Sequence, residues 1–543
     1  MKHRLRTTIL SLRIGLGVGL ALGASSSFAE KKKPHPVTVL PGVPMRAADI
    51  KPYVAPNLGP EPTLEPSETP VVEVTVLEAA IELRPGGAPL AGNAIQGARL
   101  PVRGVVHGRG CSGKPWYALE PFGYLCSRDA KPTDLPATAE QVLKVKDGER
   151  LPFHYVMVLV KEGDKVPLWG NFDALKRGDE PERQLEHGDT IAIERPLNFD
   201  GERYWLTAEG KVMPQKGASM MGPGSAWQGI ALDEKVTLPF GWITPDHAPA
   251  YNDIPEGKVA PTTQLDRRAR VQILDEQTVG KKRWLKVTVL APPPEAKPEE
   301  KAKSAEKAKP MIAVIDPPHA DNNGLEIPMW VNADQVNEVR VLARPTTVPA
   351  DIERWVDVDL GEQVLVLYEQ DKPVFATLVS SGRAIPTPMG TYPVWAKVAA
   401  ITMKNQPYED KGYFVNKVPW STFFQWHNAI HGAYWHDRFG VSKSHGCVNV
   451  APLDARHVFE WISPPLPPGW SGLRPADLLK SPYIVVRNSH AKKQFRQDRP
   501  VGPPDRELEG QRLEEAEKRR AEEAALKTAT PAPSDPAQAP PAP

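Results

Sequence analysis

Between Ala429 and Val450 the chain reads AIHGAYWHDRFGVSKSHGCVNV, and this stretch holds three imidazoles, His431, His436 and His445, and the thiol of Cys447. A thiol attacks carbonyls only as a thiolate, so it needs a base within reach and donors for the negative charge that it creates on oxygen. His431, sixteen positions upstream of Cys447, reaches the thiol if two strands, or a strand and a loop, bring them together. Gly446 and Cys447 in an exposed turn offer backbone N–H groups to an oxyanion. The chemistry this points to is cysteine acyl transfer. A buried apolar role, common for a lone cysteine, fits poorly with a cysteine inside Ser444-His445-Gly446-Cys447, which is not an apolar run. Zinc is the rival reading of three histidines and a cysteine, but the spacings His431-x4-His436 and His445-x-Cys447 are not those of the usual structural sites. No metal and no cofactor are expected.

The stretch resembles the L,D-transpeptidase catalytic domain, the YkuD family, in His431-Gly432, the twelve-residue-later run Ser444-His445-Gly446-Cys447, and Asn449 two beyond the cysteine. Val418-Pro419-Trp420, Tyr434-Trp435-His436, Phe439-Gly440 and Asp454-Ala455 add to the likeness, as do the upstream runs Thr377 to Gly382 and Thr387 to Tyr392. The resemblance spans roughly Asp351 to Arg487. It implies that Cys447 is the nucleophile and His431 the base, oriented by the backbone carbonyl of Gly432. It further implies that Ser444 and His445 brace the site and that Gly446 and Cys447 supply the oxyanion donors. Tyr434, Trp435, His436 and Asn449 are implied to line a donor cleft. In many members an arginine stands where Asn449 is, which bears on substrate detail. His427 is the competing histidine, but it lacks the glycine that follows His431. The implied activity is on peptidoglycan stem peptides, as donor and acceptor. Cys447 attacks the L-centred third residue of a tetrapeptide stem, releases D-alanine, and passes the acyl group to an amine to form a cross-link. Water, a lipoprotein amine or a free D-amino acid as acceptor would change the product and keep the thiol. A reading of another class is a non-catalytic wall-binding protein whose working part is the N-terminal β region.

The elements that must position these residues are mostly short strands. ERWVDVDL, QVLVLYE and VFATLVSSG predict three strands, TPMGTYPVWAKV a turn and a strand, and PYIVVR a last strand. Pro452 to Ile462 predicts a helix, with proline in its first turn and Ala455, Val458, Phe459 and Ile462 on one face. A helix starting close to the thiol would hold the cysteine loop and favour thiolate through its dipole. The catalytic domain is therefore expected over 351–487 as a β-rich α+β unit.

Upstream, alternating runs between Gly and Pro turns predict further β modules. Residues 71–130 resemble a bacterial SH3-like domain in the run IELRP, the GARLPV turn and the WY…GYL ending, a small β-barrel. Residues 140–290 predict more β-rich modules of the same texture, without an exact sequence repeat. The whole is a mainly β, multi-domain chain. Trp116, Trp169, Trp205 and Trp242 read as core aromatics before they read as sugar platforms. A wall-positioning role for these modules is fold-level analogy. Residues 30–70 read as a Pro-rich tether, 291–310 as a charged low-complexity linker, and 488–543 as a charged, Pro/Ala-rich disordered tail. If the linker interrupts a hairpin, Met329 to Asn332 belong to the module before it, and the domain boundary falls between Leu342 and Asp351.

Composition narrows the setting. With 543 residues the chain exceeds one core, and 67 basic against 66 acidic residues leave no global field for nucleic acid. Sixty prolines, about twice the usual share, imply linkers and turns rather than long helices. Met1 to Ala29 reads as a signal peptide, with a basic start, an apolar core from Ile9 to Ala24 and Ser27-Phe28-Ala29 as the cleavage site. The expected location is the periplasm or cell envelope. In an oxidising compartment Cys111 and Cys126, in one short segment, are expected to form a disulfide, which leaves Cys447 as the odd thiol.

Overall fold

The computed structural model describes residues 58–87, 89–234, 236–290, 327–383, 386–405 and 412–529. The expected signal peptide, the linker at 291–310 and the last residues of the Pro/Ala tail lie outside them. Strand accounts for 42% of the described residues and helix for 9%, and no closed barrel was found among them. The mainly β expectation holds; the SH3-like barrels are not confirmed.

Residues 354–487 form one continuous twisted sheet. Arg354–Asp359 pairs antiparallel with Val364–Glu369 and parallel with Tyr483–Arg487. From Val364–Glu369 the sheet continues through Lys372–Ser380, Val448–Val450, Asn428–Gly432, Phe414–Gln425 and Ala396–Lys404. These strands are nearly continuous apolar runs, as expected of strands covered on both faces. One cover is the helix Pro452–Trp461, which starts on proline and buries Ala455, Val458 and Phe459. The parallel pair, extended beyond Tyr483–Arg487 by the strand Gly390–Pro393, is tied by Arg487, whose Nε and Nη2 donate to the two oxygens of buried Asp357 at 2.9 and 2.8 Å.

The first upstream module does not stand apart. Its strand Leu90–Ile95 pairs with Trp470–Leu473, which in turn pairs with Ala396–Lys404, so its sheet runs into the catalytic one. The join is close: a Cβ on Gly92 would lie 2.2 Å from the carbonyl oxygen of Gly472 and 2.6 Å from the Trp470 ring, so only glycine fits there. One apolar core, including Ile81, Leu100, Trp470 and Val448, spans both. Cys111 and Cys126 are bonded, with Cα atoms 5.4 Å apart, a closure worth roughly 3 kcal/mol in the chain-entropy account. The tether expected over 30–70 is attached in its last part, where Glu65 exchanges backbone hydrogen bonds with Val105 at 2.8 and 2.9 Å.

Two further modules share a plan that the sequence comparison did not expose. In one, the ten-residue strand Thr190–Phe199 turns back into Glu202–Thr207, with a bulge between Ile193 and Arg195. In the other, the ten-residue Arg270–Val279 turns back into Lys282–Val289, with a bulge between Ile273 and Asp275. Lys282–Val289 pairs with Met329–Asn332, so the intervening residues interrupt a strand pair and Met329–Asn332 belongs to the module before them. Trp116 and Trp242 are core residues.

The C-terminal region departs from the expectation of disorder from residue 488. Met389 and Thr391 donate backbone N–H to Asp498 and Gln497, and Arg506–Ala529 is a helix. That helix lacks an apolar stripe. Among its described side chains it seats the small buried Ala516 and charged contacts, Glu509 on His427 and Arg512 over the Trp426 ring at 4.5 Å. Composition alone could not show this, because the contacts use the same charged residues that would solvate a free tail.

Candidate active site

The stretch from Ala429 to Val450 is two strands and the long loop between them. Asn428–Gly432 and Val448–Val450 pair in parallel, with Ile430 opposite Val448 and His431 opposite Asn449. Side chains alternate between the faces of a strand. Ile430 and Val448 therefore point together into the apolar core, where both are buried, and His431 and Asn449 share the other face. Carried one residue back, the same alternation puts Cys447 on the face of His431. The register brings the base and the thiol expected from sequence to one side of one sheet.

His431 is buried, 2% exposed, with Nδ1 3.4 Å from the carbonyl oxygen of Gly432. A proton on Nδ1 directed at that oxygen leaves the Nε2 lone pair as the acceptor. Burial pushes the imidazole down to about 4, against the small opposing effect of the Gly432 carbonyl, so the ring is neutral at pH 7. Cys447 is half-buried and its Sγ lies 3.6 Å from the carbonyl oxygen of His427. A buried neutral imidazole on the face that carries the thiol has the chemistry to accept a proton.

The cysteine loop is held from within. Ser444 Oγ donates to the Cys447 carbonyl at 2.5 Å and accepts from Gly446 N–H at 3.1 Å. Gly446 sits at φ +132°, a backbone state that side chains rarely adopt. Its N–H is therefore engaged, and the oxyanion role expected for it requires that bond to open. Thr387 Oγ1 donates to the Gly446 carbonyl at 2.8 Å and accepts from Gly382 N–H at 2.9 Å. Thr387 was within a run that carried the family likeness, but no spacing rule marked it as part of the site.

The remaining candidates separate. His436 faces Asn449, Nε2 to Nδ2 at 3.0 Å, and is pushed down to about 4, chiefly by burial. Trp435 is half-buried with its ring 5.8 Å from that of His431. His445 is exposed and stacks on Tyr413 at 5.2 Å, so it braces the loop from outside. Tyr434 departs from the expected cleft position: it is 4% exposed, stacked on Tyr155 at 3.6 Å, with its hydroxyl against Thr190 Oγ1 at 2.7 Å and donating to the Asn416 carbonyl at 2.8 Å. A tyrosine beside a catalytic motif reads as a cleft wall from sequence. The partner that buries it lies far upstream, in a run legible only as strand. His427 turns its ring to Glu509 at 2.5 Å and serves the site through its carbonyl. No metal-ligating cluster occurs among the described residues.

The site thus combines a thiol and a buried neutral imidazole on one face of a parallel strand pair, in a β-rich domain. Residues 353–476 match the family model of the L,D-transpeptidase catalytic domain, YkuD. The chain thus carries an L,D-transpeptidase catalytic domain over that range. Similar solved structures include a mutant of Enterococcus faecium L,D-transpeptidase, at 23% identity, covering 25% of this chain and 49% of that one, with a TM-score of 0.19. The NMR structure of the catalytic domain of E. faecium L,D-transpeptidase is 25% identical and covers 24% of this chain and 95% of that one, with a TM-score of 0.20. An L,D-transpeptidase from Mycobacterium smegmatis is 16% identical, covering 40% of this chain and 99% of that one, with a TM-score of 0.21. The chain spans about half the length of the first of these. A search of curated proteins found no match.

Proposed function

We propose that this chain is an exported peptidoglycan L,D-transpeptidase with Cys447 as nucleophile and His431 as base. The observation that carries the reading is the shared face of His431 and Cys447, with the imidazole buried and neutral, inside the segment that matches the family. His431 Nε2 takes the thiol proton as sulfur attacks the carbonyl of the L-centred third residue of a tetrapeptide stem. The tetrahedral intermediate collapses, the C–N bond to D-alanine breaks, and the imidazolium gives its proton to the departing amine. A second stem's amine then attacks the thioester, His431 takes a proton from it, and the returning thiolate is reprotonated. The backbone N–H of Cys447 is the first candidate for the oxyanion donor, joined by Gly446 if its bond to Ser444 opens. Trp435 and Asn449, beside the pair, are the candidates for holding the donor stem. Met1 to Ala29 would direct the chain across the membrane to the wall.

The test uses protein from Glu30 onward, with its Cys447→Ala variant, on disaccharide-tetrapeptide. A cysteine-dependent dimer that has lost one D-alanine supports the reading. Tripeptide alone reassigns the acceptor to water. No cysteine-dependent product leaves the wall-binding alternative, which binding of the full chain to sacculi would then examine.

A further inference from the structure

Asp437 sits on the loop between the two strands of the site, half-exposed, and attracts more donors than a surface aspartate needs. Arg268 Nη2 donates to its Oδ1 and to its carbonyl oxygen, both at 2.7 Å. Arg267 donates to the carbonyl at 2.9 Å and to Oδ2 at 3.3 Å. Ser225 Oγ donates to Oδ1 as well. Both arginines come from the turn between Thr263–Asp266 and Arg270–Val279 of the module at 240–339. Arg268 is held there at φ +70°, a left-handed state that an arginine adopts at an energetic cost and that glycine or asparagine would fill more easily. The same module grips the loop again at Gly440, whose carbonyl accepts from buried Asn337 Nδ2 at 3.0 Å.

What these contacts hold is legible in the residues next to Asp437. The Arg438 backbone N–H donates to His436 Nδ1 at 3.3 Å, and the Arg438 carbonyl accepts from Ser380 Oγ at 2.9 Å. A backbone N–H can only donate, so Nδ1 carries the lone pair, and a neutral ring then carries its proton on Nε2. With Asn449 Nδ2 facing Nε2, the ring would have to accept at both nitrogens, which a neutral imidazole cannot do. Asn449 Oδ1, buried with its side chain, meanwhile has no partner among the described residues. Turning the amide over removes the clash of roles, Nε2–H donating to Oδ1, and leaves the NH2 group, now where the orphaned acceptor stood, open to a further partner. That NH2 is then a buried donor on the face of His431 and Cys447, given the register of His431 opposite Asn449.

We infer that Arg267 and Arg268 are positioning residues for this site. By fixing Asp437 they hold Arg438 N–H on His436 Nδ1, which sets His436 as the Nε2–H tautomer and aims the Asn449 amide nitrogen at the His431–Cys447 face. The catalytic consequence rests on the proposed transpeptidase reading; the tautomer does not. The module at 240–339 is in this account part of the active site's frame.

The experiment compares the wild-type full chain with Arg268→Ala, Arg268→Lys, the Arg267→Ala/Arg268→Ala double variant and Asp437→Asn, each checked for an unchanged melting temperature. Side-chain 15N spectra of histidine-labelled protein, with His436→Gln for assignment, read the tautomer; tetrapeptide turnover reads the site. The expected result is a single Nε2–H signature for wild type and a tautomer mixture in the double variant. Turnover in the double variant falls about tenfold in kcat with KM changed less than about twofold, the size expected of sub-ångström misplacement. Arg268→Lys and Asp437→Asn, which keep part of the hydrogen bonding, lie between. A wild-type His436 with its proton on Nδ1 overturns the inference. So does a double variant, melting as wild type, whose tautomer or kcat is unchanged. If wild type turns over no tetrapeptide, the proposed function fails while the tautomer result still decides the positioning claim.

Discussion

Two accessory modules take hold of one loop three residues apart, by opposite physics. At Tyr434 the module containing Thr190–Phe199 buries an aromatic stack and meets the hydroxyl with Thr190, while Asn416 of the catalytic sheet accepts its proton. At Asp437 the module containing Arg270–Val279 uses two arginines on a half-exposed carboxylate. A buried aromatic contact gains most of its free energy from removed apolar surface and close packing, and it is indifferent to salt. A half-exposed ion pair gains little net stability, because water already serves both charges. It does fix direction, through donors aimed at named oxygens. The first anchor is expected to keep the modules together, the second to set where the loop points.

Breaking the aromatic anchor should have the largest effect on stability. Tyr155→Ala removes one ring of a fully buried stack and the donor to the Lys417 carbonyl, and is expected to destabilise by about 3–5 kcal/mol, as other buried aromatic truncations do. A thermal melt of the full chain measures it; a shift no larger than that of Arg268→Ala would end the comparison. Tyr434→Phe is milder. It keeps the stack and strands the Thr190 hydroxyl and the Asn416 carbonyl in a dry site, for an expected loss of about 1–3 kcal/mol by the same melt. Arg268→Ala should cost less than about 1 kcal/mol in stability, while lowering turnover by more than its stability loss explains.

Acid and salt sharpen the contrast further. Burial pushes the Asp437 carboxyl up, but hydrogen bonds from Arg268 and Ser225 and the charges of Arg268 and Arg267 outweigh it, and the net shift is downward. A depressed carboxyl contributes stability that is present above its unfolded value, near pH 3.9, and is lost as pH falls through the lower folded value. The ionic anchor should therefore survive mild acid. The catalytic base sets the nearer limit: turnover should hold as pH drops through 6 and fall as it approaches about 4, where His431 takes a proton. A loss centred near 6.5 in the pH profile would contradict the buried neutral base. Raising salt to on the order of 1 M, where screening acts within about 3 Å, should reduce turnover slightly and leave the melting temperature almost unchanged. A fall in melting temperature without loss of turnover would reverse the assigned roles.

The same contrast explains what sequence could and could not show. Cys447 and His431 could be singled out as candidates because reactive side chains in a specific motif need no tertiary information to be noticed. The helix after Pro452 was legible from its apolar spacing. Their placement on one face depends on a parallel register between Asn428–Gly432 and Val448–Val450, which short strands do not declare. Tyr155 in FHYVMVLV reads as a strand interior and Arg267-Arg268 as a solvated turn; only the fold makes them neighbours of the loop. Tyr434 was assigned to the cleft because it sits in the motif, while its burial is decided by a strand more than two hundred residues away. Glu507 to Lys527 carries helical propensity, but the docking of the helix Arg506–Ala529 was not legible, because it uses Ala516 and charged pairs rather than an apolar face.

The most direct test of the central claim is the covalent intermediate itself. Full-chain protein mixed with a tetrapeptide donor whose side-chain amine is acetylated, so that it cannot act as acceptor, quenched in acid within the first turnover and measured by intact mass, should carry one donor stem minus its terminal D-alanine. Digestion should place that mass on the peptide containing Cys447, with no adduct in Cys447→Ala. An adduct that persists in Cys447→Ala, or that maps to another residue, would contradict the account.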